Sequence, residues 1–170
     1  MRIKLIAAIL LIVSLSGCMT RIYVPMEYPL RPGLIPALAT NGTVNVNNAQ
    51  DSTSDEIVYS YVGTKLASNY RTITQLMVDQ TKAEIKKNTQ RTSSGKPKTL
   101  DMKVTYLKSR YITFFWKSEL KYTVVLGGSV TIEKTVNHAS GILIQDLNGC
   151  IAESVINLLN DPQIIAYLAE

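Results

Sequence analysis

Few residues in this chain have the types and spacing to do chemistry. His138, the single histidine, sits in Thr135-Val136-Asn137-His138-Ala139. As a catalytic base it would need a partner nucleophile, and the chain has no Gly-x-Ser-x-Gly elbow. As a metal ligand it would need companions, and neither His-Glu-x-x-His nor a paired-cysteine spacing is present. It therefore reads as a structural or surface histidine. Asp146 and Glu153 stand two turns apart on a helical stretch. Paired carboxyls do acid–base work only where a cleft shifts them, so these two read as a solvated face. Gly127-Gly128-Ser129 is a turn and not a phosphate cradle, because no helix follows it. Cys150 falls in an amphipathic helix, where a free thiol behaves as a small buried hydrophobe. No catalytic, cofactor-binding or metal residue is assigned, no cofactor is expected, and no enzyme is expected.

The other cysteine is more telling. Arg2 and Lys4 form a basic head, an apolar run follows, and Leu15-Ser16-Gly17-Cys18 closes it. That order marks a secretory signal peptide over 1–17. The apolar stretch from Leu5 to Leu15 is about half of the roughly 20 residues that span a bilayer. The ending resembles the lipobox of bacterial lipoproteins. The resemblance implies cleavage before Cys18 and acylation of that residue, and stable attachment by more than one chain. Met19 follows where lipoproteins kept at the inner membrane carry Asp, so the resemblance implies an outer-membrane anchor facing the periplasm.

Beyond the leader, 153 residues remain, enough for one modest core. Sixteen basic residues then face thirteen acidic ones. The excess is concentrated: nine basic residues and only Glu84 and Asp101 lie between Lys82 and Arg110. Such a run is either a solvated surface or a patch that meets an anionic envelope polymer or lipid. The compartment argues against nucleic acid. Arg110-Tyr111-Ile112-Thr113-Phe114-Phe115-Trp116-Lys117 holds both phenylalanines and the only tryptophan. Strand alternation sends Phe115 to one face and Phe114 and Trp116 to the other. Aromatics and arginine anchor interfaces, so Arg110, Phe114, Phe115, Trp116 and Lys117 are the candidate partner-binding residues, flanked by Lys121.

The elements that must position these residues follow from periodicity. Residues 18–42 carry the acylated cysteine and four of the six prolines, which predicts an extended tether. A single domain is expected over 43–170. Val44 and Val46 alternate with asparagines, and Ile57-Val58-Tyr59 reads as a second short strand. Leu66, Tyr70, Ile73 and Met77 predict a helix from Thr64 to about Asn88, and Thr92 to Pro97 a loop. Leu100, Met102, Val104 and Tyr106 mark a strand with one buried face. A strand-rich run covers Tyr111 to Trp116 and continues over Leu120–Leu126. Gly127-Gly128 turns it into another strand up to Val136. Leu143, Leu147, Ile151, Val155 and Leu158 predict a helix, and Asp161-Pro162 opens a short last one. The order implies an α+β fold, a mainly antiparallel sheet with helices packed on one face.

With the lipobox, the Leu100–Tyr106 strand and the ending Ile151-Ala152-Glu153-Ser154-Val155 through Asp161-Pro162-Gln163-Ile164-Ile165, the chain resembles the YajG-type family of small envelope lipoproteins. That resemblance implies location and fold and brings no catalytic residues. The expected function is a non-enzymatic, lipid-anchored protein that binds or helps assemble an envelope component. The expected partner is an envelope protein or an anionic envelope polymer. The alternative is an accessory subunit of a secretion or surface-appendage machine.

Overall fold

The computed structural model describes residues 19–170; the leader and Cys18 lie outside the described residues, as do the side chains of Met19, Arg91 and Ser93. Nine strands and three helices follow in the order β1 (Met19–Ile22), β2 (Leu38–Asn41), β3 (Val44–Asn48), β4 (Asp55–Tyr61), β5 (Thr64–Asn69), α1 (Tyr70–Asn88), β6 (Thr89–Ser93), β7 (Lys98–Ile112), β8 (Phe115–Leu126), β9 (Val130–Ser140), α2 (Leu143–Leu159) and α3 (Pro162–Ala169). Seven strands make one sheet in the order β1-β5-β4-β7-β8-β9, with β3 also on β7. The expected α+β class is found, and the sheet is mixed: β4–β5, β7–β8 and β8–β9 run antiparallel, whereas β1–β5, β3–β7 and β4–β7 run parallel. β2 and β6 form a small parallel pair apart from it.

The fifteen-residue β7 is the spine. Its length lets β3 occupy one half of an edge, Lys98 to Met102, and β4 the other, at Ser109. Leu100, Met102 and Val104 point inward, and then the register against β8 slips between Val104 and Tyr106. A one-residue slip reverses every side chain beyond it. Leu107 and Ser109 therefore continue the buried face, and Tyr106, expected inside, moves to the open one. On the opposite edge β3 ends beside Met102, and the Val104 groups beyond it are met by side chains: Thr74 accepts from its N–H at 3.0 Å and Gln50 donates to its carbonyl at 2.6 Å.

Both long helices pack on the buried face of the sheet and touch each other. α1 supplies Ile73, Met77, Val78 and Ile85, and α2 supplies Leu147, Cys150, Ile151, Val155 and Leu158, all buried. The helical start expected at Thr64 is displaced to Tyr70. Thr64–Asn69 pairs with β4 through a turn at Val62-Gly63, and the Asn69 side chain caps α1 by accepting from Arg71 and Thr72 N–H. Thr92, expected in a loop, belongs to β6. Asp161 caps α3 as its Asp-Pro pair predicts, accepting from Gln163 N–H at 2.7 Å.

The proline-rich segment differs most from expectation. From Met19 onward it belongs to the domain and is no free spacer. β1 pairs with β5, and Tyr23, Ile35 and Leu38 are buried in the core. Proline stops the segment from forming a regular ladder, so side chains hold it. Asn148 Oδ1 accepts from Tyr23 Oη at 2.6 Å and Met26 N–H at 3.1 Å, Gln80 donates to Tyr28 O at 2.7 Å, and Asn160 donates to Leu34 O at 2.9 Å.

Candidate functional site

A polar cluster under α2 and a basic, aromatic surface around the β7–β8 hairpin are the two places where functional side chains gather. Asp146 belongs to the cluster. It is fully buried, not on a solvated helix face. Ser109 of β7 and Ser118 of β8 donate to its Oδ2 at 2.7 and 2.5 Å, and His138 Nδ1 of β9 lies 3.2 Å from Oδ1. The imidazole lies against Gly149, where a Cβ would come within 2.4 Å of Cε1. That contact explains a glycine inside α2. The residue types are those of a hydrolytic triad, but the connectivity differs. A nucleophile must hand its proton to the imidazole, which the carboxyl orients from behind. Here both hydroxyls donate to the carboxyl itself, so the serines brace Asp146.

His138 also floors a cleft of about 290 Å³ between α2 and the docked segment, where Tyr28, Leu34 and Glu153 line the walls. Glu153 is exposed, as expected, seven residues from a carboxyl that is not. Cys150 is buried as expected; its thiol lies 3.7 Å from Val136 O, and burial first, then nearby carboxyls, push its pKa up.

The candidate partner residues divide three ways. Arg110 and Lys117 are register partners on the open face of the sheet, and Ile112 and Phe115 are the next such pair. Trp116 turns to the other face, half-buried, its ring tilted 5.0 Å from that of Tyr111, which in turn lies tilted 5.3 Å from Tyr61. Its Nε1–H has no partner among the described residues. Phe114 belongs to neither face. The strand-rich run expected to be continuous breaks at Thr113-Phe114, a two-residue turn that leaves Phe114 84 % exposed.

The basic run also divides. Lys82, Lys86 and Lys87 are on α1, whereas Lys103, Lys108 and Arg110 are on the open face of β7, opposite Lys117 and Lys121 of β8. Lys108 and Lys121 lie over the Tyr106 ring at 5.9 and 5.4 Å, and Glu119 pairs with Lys121 at 3.2 Å. Tyr106, Lys108, Arg110, Lys117 and Asn137 frame a shallow cleft of about 220 Å³. Two cations over one ring and three more along the same strands make this face attractive to an anionic partner. Tyr106 and Lys108 escape sequence reasoning because the bulge that turns Tyr106 outward has no glycine to announce it. Among the described residues, no group of three or more His, Cys, Asp or Glu is placed to hold a metal ion, and no helix is long and apolar enough to cross a membrane.

No family model and no curated protein matches the chain. Among solved structures it is similar to protein XCC0632 from Xanthomonas campestris, of the DUF330 family. The likeness covers 86% of this chain and 96% of that one at 14% identity, with a TM-score of 0.56. At this identity the likeness is one of fold.

Proposed function

We propose that the chain is a lipid-anchored, non-enzymatic lipoprotein of the bacterial cell envelope. It is held at the periplasmic side of the outer membrane through Cys18 and uses the open sheet face to bind or help assemble an envelope component. The likeness to YajG-type lipoproteins is part of the same proposal. The observation that carries the binding role is the row Lys103, Lys108, Arg110, Lys117 and Lys121 along β7 and β8, two of them over the Tyr106 ring, on an open sheet face where the five cations outnumber Asp101, Glu119 and Glu133. The partner it suits is an anionic envelope polymer or an acidic protein surface. The non-catalytic role is supported by the serine hydroxyls of the polar cluster, which are spent on Asp146.

Photo-crosslinking from position 108 in intact cells, followed by mass spectrometry, identifies what meets this face. Arg110→Glu with Lys117→Glu is expected to abolish the crosslinked species while the protein stays folded and membrane-bound. Crosslinks unchanged by the double reversal would refute the binding face. Mass spectrometry of the purified protein tests the anchor separately, since an unmodified Cys18 is incompatible with it.

A further inference from the structure

We infer that the paired hairpin tips Val62-Gly63 and Thr113-Phe114 are the surface by which the domain rests on the phospholipid bilayer that its anchor enters. This rests on the lipid-anchor proposal above. β4 and β7 run parallel with Tyr59 beside Ser109, so the turns that end them lie side by side. Between them they expose Val62 at 82%, Phe114 at 84%, Tyr61 at 50%, Phe115 at 41% and Ile112 at 40%. β9 ends at the same place, with Ser140 opposite Trp116, and Ile142 follows it at 53% exposure. A soluble surface exposes single apolar side chains freely, but a contiguous group at one end of a sheet marks a contact.

Backbone strain points the same way. Val62 has φ +40° and Thr113 φ +55°, both β-branched residues in the left-handed region that favours glycine or asparagine. A valine both strained and exposed gains nothing for the fold, and such outliers persist where they serve a contact.

The chain itself indicates which contact. β1 runs parallel to β5 from a register of Met19 with Thr64, the residue that follows the Val62-Gly63 turn. Cys18 is one peptide bond from Met19. Acyl chains on Cys18 would therefore enter the bilayer from the end of the domain that carries the tips. Behind the tips stand Tyr61, Tyr111 and Trp116, the amphipathic aromatics that favour a membrane–water interface. Lys65 lies two residues behind Gly63, about 7 Å along its strand, at a depth suited to anionic headgroups. In this pose the strands stand on the membrane and the cationic sheet face stays open to the periplasm.

Trp116 is the single tryptophan, so its fluorescence reports one place. The acylated protein, with acylation verified by mass spectrometry, is reconstituted into phosphatidylethanolamine–phosphatidylglycerol vesicles containing phospholipid brominated on the acyl chain. Bromolipid is expected to quench Trp116. In Val62→Asp with Phe114→Asp, quenching should be lost while the variant still floats with the vesicles and keeps its circular dichroism. A second probe, Phe114→Trp with Trp116→Phe, should be quenched more strongly than the wild type, because its indole is at the tip itself. An acylated, vesicle-bound wild type that is not quenched overturns the inference and leaves the anchor standing. A double aspartate variant quenched like the wild type, or one that only converts a dimer to a monomer, also overturns it. A Cys18 without acyl chains overturns the anchor and this inference with it.

Discussion

Asp146 illustrates how much one residue can commit a fold. Its carboxyl joins β7, β8, β9 and α2 at a point with no solvent access. Removing it leaves two buried hydroxyls without their acceptor, and each orphaned group carries its full desolvation cost. Asp146→Ala is expected to lower stability by about 2–4 kcal/mol, read as a fall in the urea midpoint with little change in slope. Asp161 differs, since its role depends on pH. Burial acts to raise its pKa but is outweighed by the Lys134 ammonium and the N–H groups of Gln163 and Ile164, so the folded value is below the usual one. A lowered folded pKa stabilises at pH values above the unfolded carboxyl range and is lost as pH falls through the folded value. Asp161→Asn keeps a good helix cap and removes the charge. The wild type should exceed it by about 1–2 kcal/mol at pH 7, and the gap should close as pH falls through the acid range in denaturation curves.

At the scale of elements, the β4–β5 hairpin is where local rules and structure disagree most. Its two-residue turn has positive φ at both positions, the geometry that asparagine followed by glycine suits best. Val62→Asn supplies that pair and is expected to raise stability by about 1 kcal/mol, seen as a higher melting temperature. A neutral or negative shift would mean that Val62 makes contacts worth more than its strain. The same hairpin shows why part of the fold could not be read from the chain. Leu66, Tyr70, Ile73 and Met77 match a helical stripe, but Leu66 is buried from a strand, Ile73 and Met77 are buried from α1, and Tyr70 is half-buried at its start. Both periods place an apolar residue there, and only the Gly63 turn and the Asn69 cap separate them. The strands over Leu100–Val104 and Ile132–Val136 and the helix at Leu143 were legible because each turns its apolar residues inward at the period of its element. The burial of Asp146 was not, since its partners are 37, 28 and 8 residues away. Two local signs pointed to it: Asp146 shares a helix face with Cys150, and Gly149 inside a helix marks a close approach.

For the whole molecule the question is whether the docked proline-rich segment and the domain form one cooperative unit. The segment buries Tyr23, Ile35 and Leu38 in the shared core and is stitched to α1 and α2 through Gln80, Asn148 and Asn160. Burial of that kind couples a segment to global unfolding, whereas a strap held by a few exposed bonds opens alone. Cys150 can distinguish the two. It is fully buried between α2 and the sheet, its thiol pushed up by that burial, and alkylation requires the thiolate. In the folded protein, peptide-resolved labelling of Cys150 should therefore occur only through global unfolding. Asn148→Ala leaves Tyr23 Oη and the Met26 N–H without their shared acceptor, at a cost of about 1–2 kcal/mol. If the unit is single, Cys150 labelling should accelerate about 5–30-fold, in step with the lost stability. Faster amide exchange at Met26 with Cys150 labelling unchanged would instead make the segment a strap that opens by itself. The first outcome is expected, because the segment's apolar side chains are inseparable from the core that buries Cys150.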